Sequence, residues 1–90
     1  MPNKYARTPD ATLDLHQHTR EEAKEAVNAF LHEAETAGHS LVRIITGKGV
    51  HSNDGPVLGY VVRCMLREYG YAFSDAKVNE GGEGAIDVKL

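Results

Sequence analysis

An aspartate and a histidine alternate with two leucines near the start of the chain, in Leu13-Asp14-Leu15-His16. Alternating apolar and polar residues are typical of a strand with one buried face, so both leucines should point inward. Residues two apart on a strand share a side, which places Asp14 and His16 together on the other side. An imidazole exchanges protons near neutral pH, and a neighbouring carboxylate can fix its tautomer. The pair therefore predicts a general acid–base site at Asp14 and His16.

A glycine-rich loop with one lysine, Thr46-Gly47-Lys48-Gly49, follows a nearly continuous apolar run. Glycines allow backbone N–H groups to approach an anion closely, and Lys48 adds a positive charge. Pro56 is suited to the first turn of a following helix, whose N-terminus also favours an anion. The loop therefore predicts a phosphate cradle. The alternative is an ordinary turn, because the spacing of a Walker loop is absent.

Further cations surround this loop in the sequence. Arg43 precedes it and His51 lies within its continuation, and both are predicted to add phosphate contacts. Arg63 and Arg67 fall on the next predicted helix, where they could extend a basic track. The lone Cys64 on the same helix is predicted to be a packing residue.

Metal binding is a second use for the first motif. Asp14 could ligate an ion such as Mg²⁺, although no cluster of carboxylates with ligand spacing accompanies it. His16 and His18 could form a metal pair only if the strand continued through His18, whereas Thr19 already caps the next helix. No metal site is therefore assigned, and Mg²⁺ stays an open alternative.

Two helices and four strands are predicted around these residues. Thr19 and Glu22 fit a capping box that begins the first helix, and Gly38 and Gly70 end the two helices. The apolar residues of both helices recur at helical spacing: Ala23, Ala26, Val27, Phe30, Leu31 and Ala34 in the first, and Val57, Leu58, Val61, Val62, Met65, Leu66 and Tyr69 in the second. Strands are predicted around residues 13–16, 41–45, 71–78 and 86–90.

The resulting order, β-α-β-α-β-β, predicts an α/β two-layer sandwich with both helices on one face of a four-stranded mixed sheet. Strand–helix–strand units give parallel pairs with right-handed crossovers, and a glycine turn at 79–84 makes the last pair antiparallel. The carboxyl ends of parallel strands lie at one edge of a sheet. His16 and the Thr46–Gly49 loop should therefore meet there.

The bulk composition limits the function classes. A net charge of −3 argues against a general DNA-coating protein, but one face can still be basic. One cysteine excludes an internal disulfide and favours a reducing compartment. No apolar run is long enough to span a bilayer. We therefore expect a monomeric cytoplasmic protein with no membrane contact, in which residues 1–11 form a flexible segment and residues 12–90 one domain.

Three ordered motifs resemble the Smr (small MutS-related) domain family, as found in stand-alone bacterial members. Leu13-Asp14-Leu15-His16, followed by a Thr-Arg-Glu-Glu-Ala helix start, resembles the LDLHG motif that opens these domains. The segment 42–49, VRIITGKG, is similar to their second signature, a strand ending in His/Thr-Gly-x-Gly. Ala76 and the segment 81–90 resemble the closing part of the family. Gln17 stands in place of the usual glycine, and Thr46 in place of the commoner histidine.

The resemblance implies a fold like the C-terminal domain of bacterial translation initiation factor three. It also implies nuclease function, because family members nick DNA or cleave RNA, including messenger RNA on stalled ribosomes. Asp14 and His16 then correspond to the usual candidate catalytic motif. Gly47, Lys48 and Gly49 correspond to the loop that contacts nucleic acid.

Three hypotheses follow for the function. The first is an endonuclease for DNA or RNA, with His16 as acid or base and Asp14 orienting it. In this hypothesis Lys48 and the amides of Gly47 and Gly49 stabilise charge at phosphorus. The second is a non-catalytic module that binds branched DNA, RNA or the ribosome through the same edge. The third is a small-molecule or protein-interaction domain that shares only the fold.

Overall fold

A computed structural model describes residues 8–16, 18–47, 55–76 and 84–90. The described residues form two helices and four strands in the predicted order. The elements are β1 (Ala11–Asp14), α1 (Arg20–Thr36), β2 (Leu41–Ile45), α2 (Gly55–Tyr69), β3 (Ala72–Asp75) and β4 (Ala85–Lys89).

The four strands form one mixed sheet in the order β1-β2-β4-β3. β1 and β2 are parallel, with Leu13 opposite Ile44. β4 lies between β2 and β3 and is antiparallel to both. β3 therefore points in the same direction as β1 and β2. The predicted parallel pair, the antiparallel last pair and the mixed sheet are confirmed.

A capping box begins α1, as the sequence predicts. Thr19 Oγ1 accepts a hydrogen bond from the Glu22 backbone N–H at 3.1 Å. In return, Glu22 Oε1 accepts one from the Thr19 backbone N–H at 2.9 Å. These two bonds satisfy donors that the first turn of a helix leaves without a partner. Beyond its last turn, Gly38 adopts a positive φ of 78°, which glycine tolerates best.

Both helices pack together on one face of the sheet. The residues buried in this core come from α1, α2, β2 and β4, and from Leu15 after β1. The largest fully buried side chains are Leu15, Ile44, Leu66, Ile86, Val27, Val42, Val62 and Val88. Removing the bulk of one such side chain, as in Ile44→Ala, is expected to cost about 2–5 kcal/mol. The core therefore holds the sheet and the helix starts in fixed relative positions.

The sheet extends beyond its predicted bounds at the start of the chain. Asp10, predicted to be flexible, donates its backbone N–H to the Leu41 carbonyl at 2.7 Å, and Ala11 already belongs to β1. The carboxylate of Asp10 also accepts from the backbone N–H groups of Ser40 and Leu41. These bonds complete the parallel ladder at its first step, which the polar composition of this segment does not reveal.

Two other boundaries differ from the prediction. β1 ends at Asp14, before His16, and β3 spans only Ala72–Asp75. Tyr69 belongs to the apolar stripe predicted for the second helix, but it is 49% exposed and donates its hydroxyl to Asn28 Oδ1 on α1 at 2.7 Å. The phenol bridges the two helices at their surface because its hydroxyl needs a polar partner.

In the described part of the chain, neither helix has the length and hydropathy of a membrane-spanning segment.

Candidate functional site

One edge of the sheet gathers most of the predicted site residues that the structure describes. β1, β2 and β3 end there and β4 begins there, and we call it the carboxyl edge. Asp14 pairs with Ile45, and the Leu15 backbone N–H continues the ladder to the Ile45 carbonyl at 2.8 Å. His16 and Thr46 each follow one residue later. The ends of the two motif-bearing strands therefore lie side by side.

Asp14 contacts the backbone of His16. Its Oδ1 accepts a hydrogen bond from the His16 backbone N–H at 2.8 Å. This is the local turn that aspartate commonly forms with the residue two positions on. The prediction that the Asp14 carboxylate orients the imidazole requires the strand to continue to His16, so that both side chains share one face. In the structure the strand has ended, and Asp14 directs the chain out of β1 instead.

The imidazole of His16 lies in an open groove beside the start of α1. The groove is lined by His16, His18, Glu22, Glu25, Ala26 and Ala29. His18 Nδ1 lies 3.3 Å from the His16 carbonyl oxygen, so the turn also positions the second imidazole. The groove thus joins two proton-exchanging rings with two carboxylates. Sequence reasoning missed Glu25. The signal that could have identified it is its spacing: it lies about one helical turn after Glu22, and therefore on the same side of α1.

The carboxylate of Glu22 accepts the hydrogen bond that caps the start of α1. The hydrogen bond from the Thr19 backbone N–H lowers the pKa of Glu22 below its usual 4.5, and the charge of His18 acts in the same direction. Both effects favour the ionised carboxylate at neutral pH. The groove is therefore partly negative beside His16.

Thr46 and Gly47 anchor the start of the predicted phosphate loop to Gly84, the residue before β4. Their backbone N–H groups both donate to the Gly84 carbonyl, at 2.8 Å and 3.0 Å. Thr46 is 3% exposed, and its hydroxyl lies 3.4 Å from the same carbonyl oxygen. The Gly47 amide, predicted to cradle phosphate, is thus already bonded to the backbone of Gly84. These two residues position the loop, and Gly47 turns it with a φ of +79°.

Arg43 lies away from the groove, on the sheet face opposite the helices. Its Nε and Nη2 donate to the two carboxylate oxygens of Asp87 on β4, at 2.7 Å and 3.2 Å. The pair is partly buried, with side chains 12% and 22% exposed. The sequence predicted a phosphate contact because strand position alone does not show the facing aspartate. The geometry instead favours a structural cross-strand ion pair.

The remaining predicted loop residues, Lys48, Gly49 and His51, lie outside the described residues. Their contact with phosphate stays a prediction. Across 8–16, 18–47, 55–76 and 84–90, no three His, Cys, Asp or Glu side chains are arranged to share a metal ion.

Two arginines of α2 have different partners. Arg63 forms an ion pair with Asp75, at the end of β3 and therefore at the carboxyl edge. Arg67 lies one turn further along the helix, with its guanidinium 5.9 Å from the centre of the Phe73 ring. Sequence reasoning did not identify Asp75, because its place at this edge depends on β3 running parallel to β1 and β2.

Comparison with known proteins identifies similar sequences along nearly the whole chain. The family model described as the Smr domain matches residues 13–90. An uncharacterised protein of Treponema pallidum is 36% identical over 85 residues, which are 91% of this chain and 42% of that protein. The protein named endonuclease MutS2 in Helicobacter pylori is 38% identical over 80 residues, which are 87% of this chain and 10% of MutS2. The chain thus spans less than half the length of either relative.

Two solved structures share the fold. The Smr domain of Thermus thermophilus MutS2 matches with a TM-score of 0.80 and 34% identity, covering 89% of this chain and 96% of that one. YdaL, described as a stand-alone small MutS-related protein from Escherichia coli, matches with a TM-score of 0.83 and 30% identity. That match covers 97% of this chain and 70% of YdaL.

Proposed function

Because the chain belongs to the Smr domain family, we propose that it is a nucleic-acid endonuclease that binds and cleaves phosphodiesters at its carboxyl edge. Asp14 and His16 form the catalytic element in this proposal, and the Thr46–Gly49 loop holds the backbone of the nucleic acid. The name of the MutS2 relatives, endonuclease, supports the same class of reaction. The substrate is either DNA that is nicked or RNA that is cleaved.

One observation carries the proposal: His16 is exposed at the point where the two motif-bearing strands end together. A general acid or base must reach the proton that it transfers, so exposure in an open groove meets the first requirement. The neighbouring β2 end leads directly into the loop that contains Lys48. In this proposal, a backbone phosphate bound by that loop lies beside His16.

The chemistry assigned to His16 is proton transfer. With RNA, a neutral imidazole accepts the proton of a 2′-hydroxyl, whose oxygen attacks the adjacent phosphorus as the 5′-oxygen leaves. A protonated imidazole can instead donate its proton to that leaving oxygen. Asp14 is a positioning residue, because its bond to the His16 backbone fixes the turn that presents the ring. Lys48 and Gly49 contribute charge and N–H donors near the phosphate.

Two observations favour the alternative, a non-catalytic module that binds DNA, RNA or the ribosome through the same edge. The Gly47 amide is already bonded to Gly84, which removes one donor from stabilisation of the transition state. Glu22 and Glu25 also line the groove and would repel a phosphate that approached His16 closely. A binding module would tolerate both features.

A cleavage assay distinguishes the two functions. The purified chain is incubated with matched single-stranded RNA, single-stranded DNA and branched DNA, each with and without Mg²⁺, and the products are separated on a gel. The endonuclease proposal expects products from the wild type and none from His16→Ala. Salt-dependent binding without products supports the binding module. Products from His16→Ala at the wild-type rate would refute the assignment of the site.

The proposal also includes the setting in which the chain acts. We place it in the cytoplasm, where nucleic acid and ribosomes are present and where Cys64 would stay a thiol. We also propose that it acts as a monomer.

A further inference from the structure

Arg63 extends along α2 towards the carboxyl edge. Long side chains on a helix point back towards its N-terminus, over the residue four positions earlier. For Arg63 that residue is Gly59, which is buried in the second turn of α2. The guanidinium fills the space that a side chain at position 59 would occupy. A Cβ atom there would lie 2.9 Å from Arg63 Nη1.

The same space borders the start of the predicted phosphate loop. A Cβ atom at Gly59 would lie 3.6 Å from Thr46 Oγ1 as well as beside the guanidinium. Thr46 is the first residue beyond β2, and Gly47 follows with a positive φ of 79°. Arg63 therefore places a permanent positive charge at the carboxyl edge, next to the residues that anchor the loop.

Asp75 holds this charge in place. Its Oδ1 accepts from Arg63 Nη2, which leaves the Nη1 side of the planar guanidinium directed towards Gly59 and Thr46. The side chain of Arg63 is 28% exposed and that of Asp75 is 56% exposed, so the pair remains accessible from solvent. A guanidinium carries five N–H donors, so donors that Asp75 does not use remain for a phosphate oxygen.

We infer that Arg63 is a phosphate-binding residue of the carboxyl edge, positioned by Asp75 and given its space by the missing side chain of Gly59. The inference rests on the proposed function, because it assigns the cation that binds one backbone phosphate of the nucleic acid beside the Thr46 turn. Asp75 has two effects in this arrangement. It fixes the guanidinium, and its own negative charge weakens the attraction for the phosphate.

The test is the affinity of the full chain for a fluorescent single-stranded RNA and its DNA counterpart, measured at several salt concentrations. Arg63→Gln removes the charge, and affinity should fall by about tenfold. The slope of log affinity against log salt should also decrease by about one. Lys89→Gln is the matched control, because Lys89 is an exposed cation at the opposite end of β4. It should leave both quantities close to the wild-type values.

Two further variants distinguish phosphate binding from a structural role. Gly59→Ala places a methyl group against Arg63 Nη1, so the guanidinium must move while the helix gains a better helix former. Its melting temperature should not fall, yet its affinity should decrease. Asp75→Asn keeps an oxygen acceptor and removes the competing charge, so affinity should increase. A charge effect that is independent of Arg63 predicts the same gain from Asp75→Asn when Arg63→Gln is also present, whereas phosphate binding by Arg63 predicts a smaller one.

The outcomes separate this inference from the proposed function. If the wild type binds and neither Arg63→Gln nor Gly59→Ala changes its affinity, the role of Arg63 is overturned and the proposed function is not. Absence of salt-dependent binding by the wild type, to either oligonucleotide, overturns the proposed function and this inference together. Because Gly59→Ala retains every charge, it also tests the role of Arg63 if Arg63→Gln fails to fold.

Discussion

The carboxylate of Asp14 accepts the backbone N–H of His16 at 2.8 Å, so the aspartate of the motif shapes the turn on which the histidine is presented. A backbone contact of this kind needs an oxygen acceptor but no negative charge. Asp14 could act by positioning the turn or through its negative charge. Asparagine separates these roles, because it keeps the oxygen acceptor and loses the charge.

We therefore expect Asp14→Asn to retain most of the binding and cleavage of the wild type. Asp14→Ala should lose activity, and its free energy of unfolding should fall by about 1 kcal/mol because the turn loses its side-chain bond. Cleavage rates at equal substrate saturation, with urea unfolding of both variants, provide the measurement. Equal loss of activity in both variants would show that the charge of Asp14 acts directly in the chemistry.

Gly47 and Gly38 form a matched pair for testing the loop. Both have a positive φ, +79° and +78°, and in both cases an added Cβ would meet open space. Alanine at either position should therefore lower the free energy of unfolding by a similar amount, about 1–2 kcal/mol, because of backbone strain alone. Gly47 lies at the carboxyl edge and Gly38 at the opposite end of α1. Only Gly47→Ala should weaken nucleic-acid binding, measured by fluorescence anisotropy, and equal weakening in both variants would contradict the assignment of the loop.

Arg43 is expected to stabilise the sheet without binding nucleic acid. Arg43→Gln leaves Asp87 partly buried beside a neutral partner, which should lower the free energy of unfolding by about 1–3 kcal/mol. Replacing Arg43 and Asp87 together by leucine should recover much of that loss. Urea unfolding gives the stabilities, and the salt slope of binding should match the wild type. A slope lower by about one would restore Arg43 as a phosphate contact.

Asp10 gives the fold a defined acid dependence. Hydrogen bonds from the backbone N–H groups of Ser40 and Leu41 lower its pKa below the usual 3.8, and the charge of His39 contributes in the same direction. An aspartate whose pKa is depressed by folding adds stability above its unfolded pKa, and this stability is lost as the pH falls through the folded pKa.

The wild type should consequently be more stable than Asp10→Asn at neutral pH, and the difference should shrink as the pH falls below 3.8. Urea unfolding of both proteins across that range measures the difference. A gap between the two stabilities that stays constant on acidification would show that the charge of Asp10 contributes nothing.

Much of this fold can be predicted from local signals. The capping box at Thr19 and Glu22 marks the start of α1 within one residue, because both of its bonds are formed by residues close in sequence. The parallel pairing of β1 and β2 follows from the helix between them. Gly38 ends α1 for a purely conformational reason. Each of these features depends on a few adjacent residues or on the handedness of one connection.

The details of the site depend on contacts between distant residues, which the sequence does not specify. Arg43 meets Asp87 only because β4 pairs with β2 in one particular register. The Gly47 amide is occupied because Gly84, the residue before β4, lies directly beside the end of β2. His16 leaves the strand because Asp14 closes a turn, although alternation alone predicts that the strand continues. Residue types and spacing thus predicted which strand ends lie together, but not the partners of their side chains.

If the chain binds nucleic acid as proposed, the carboxyl edge is the surface that nucleic acid contacts. Titration of ¹⁵N-labelled chain with a short single-stranded RNA, followed by amide chemical shifts, tests this directly. We predict the largest shifts at His16, His18, Thr46 and Asp75, with little change at Ser40, Gly70 and Leu90 at the other end of the sheet. Shifts concentrated at that other end, or around the Arg43–Asp87 pair, would contradict the account.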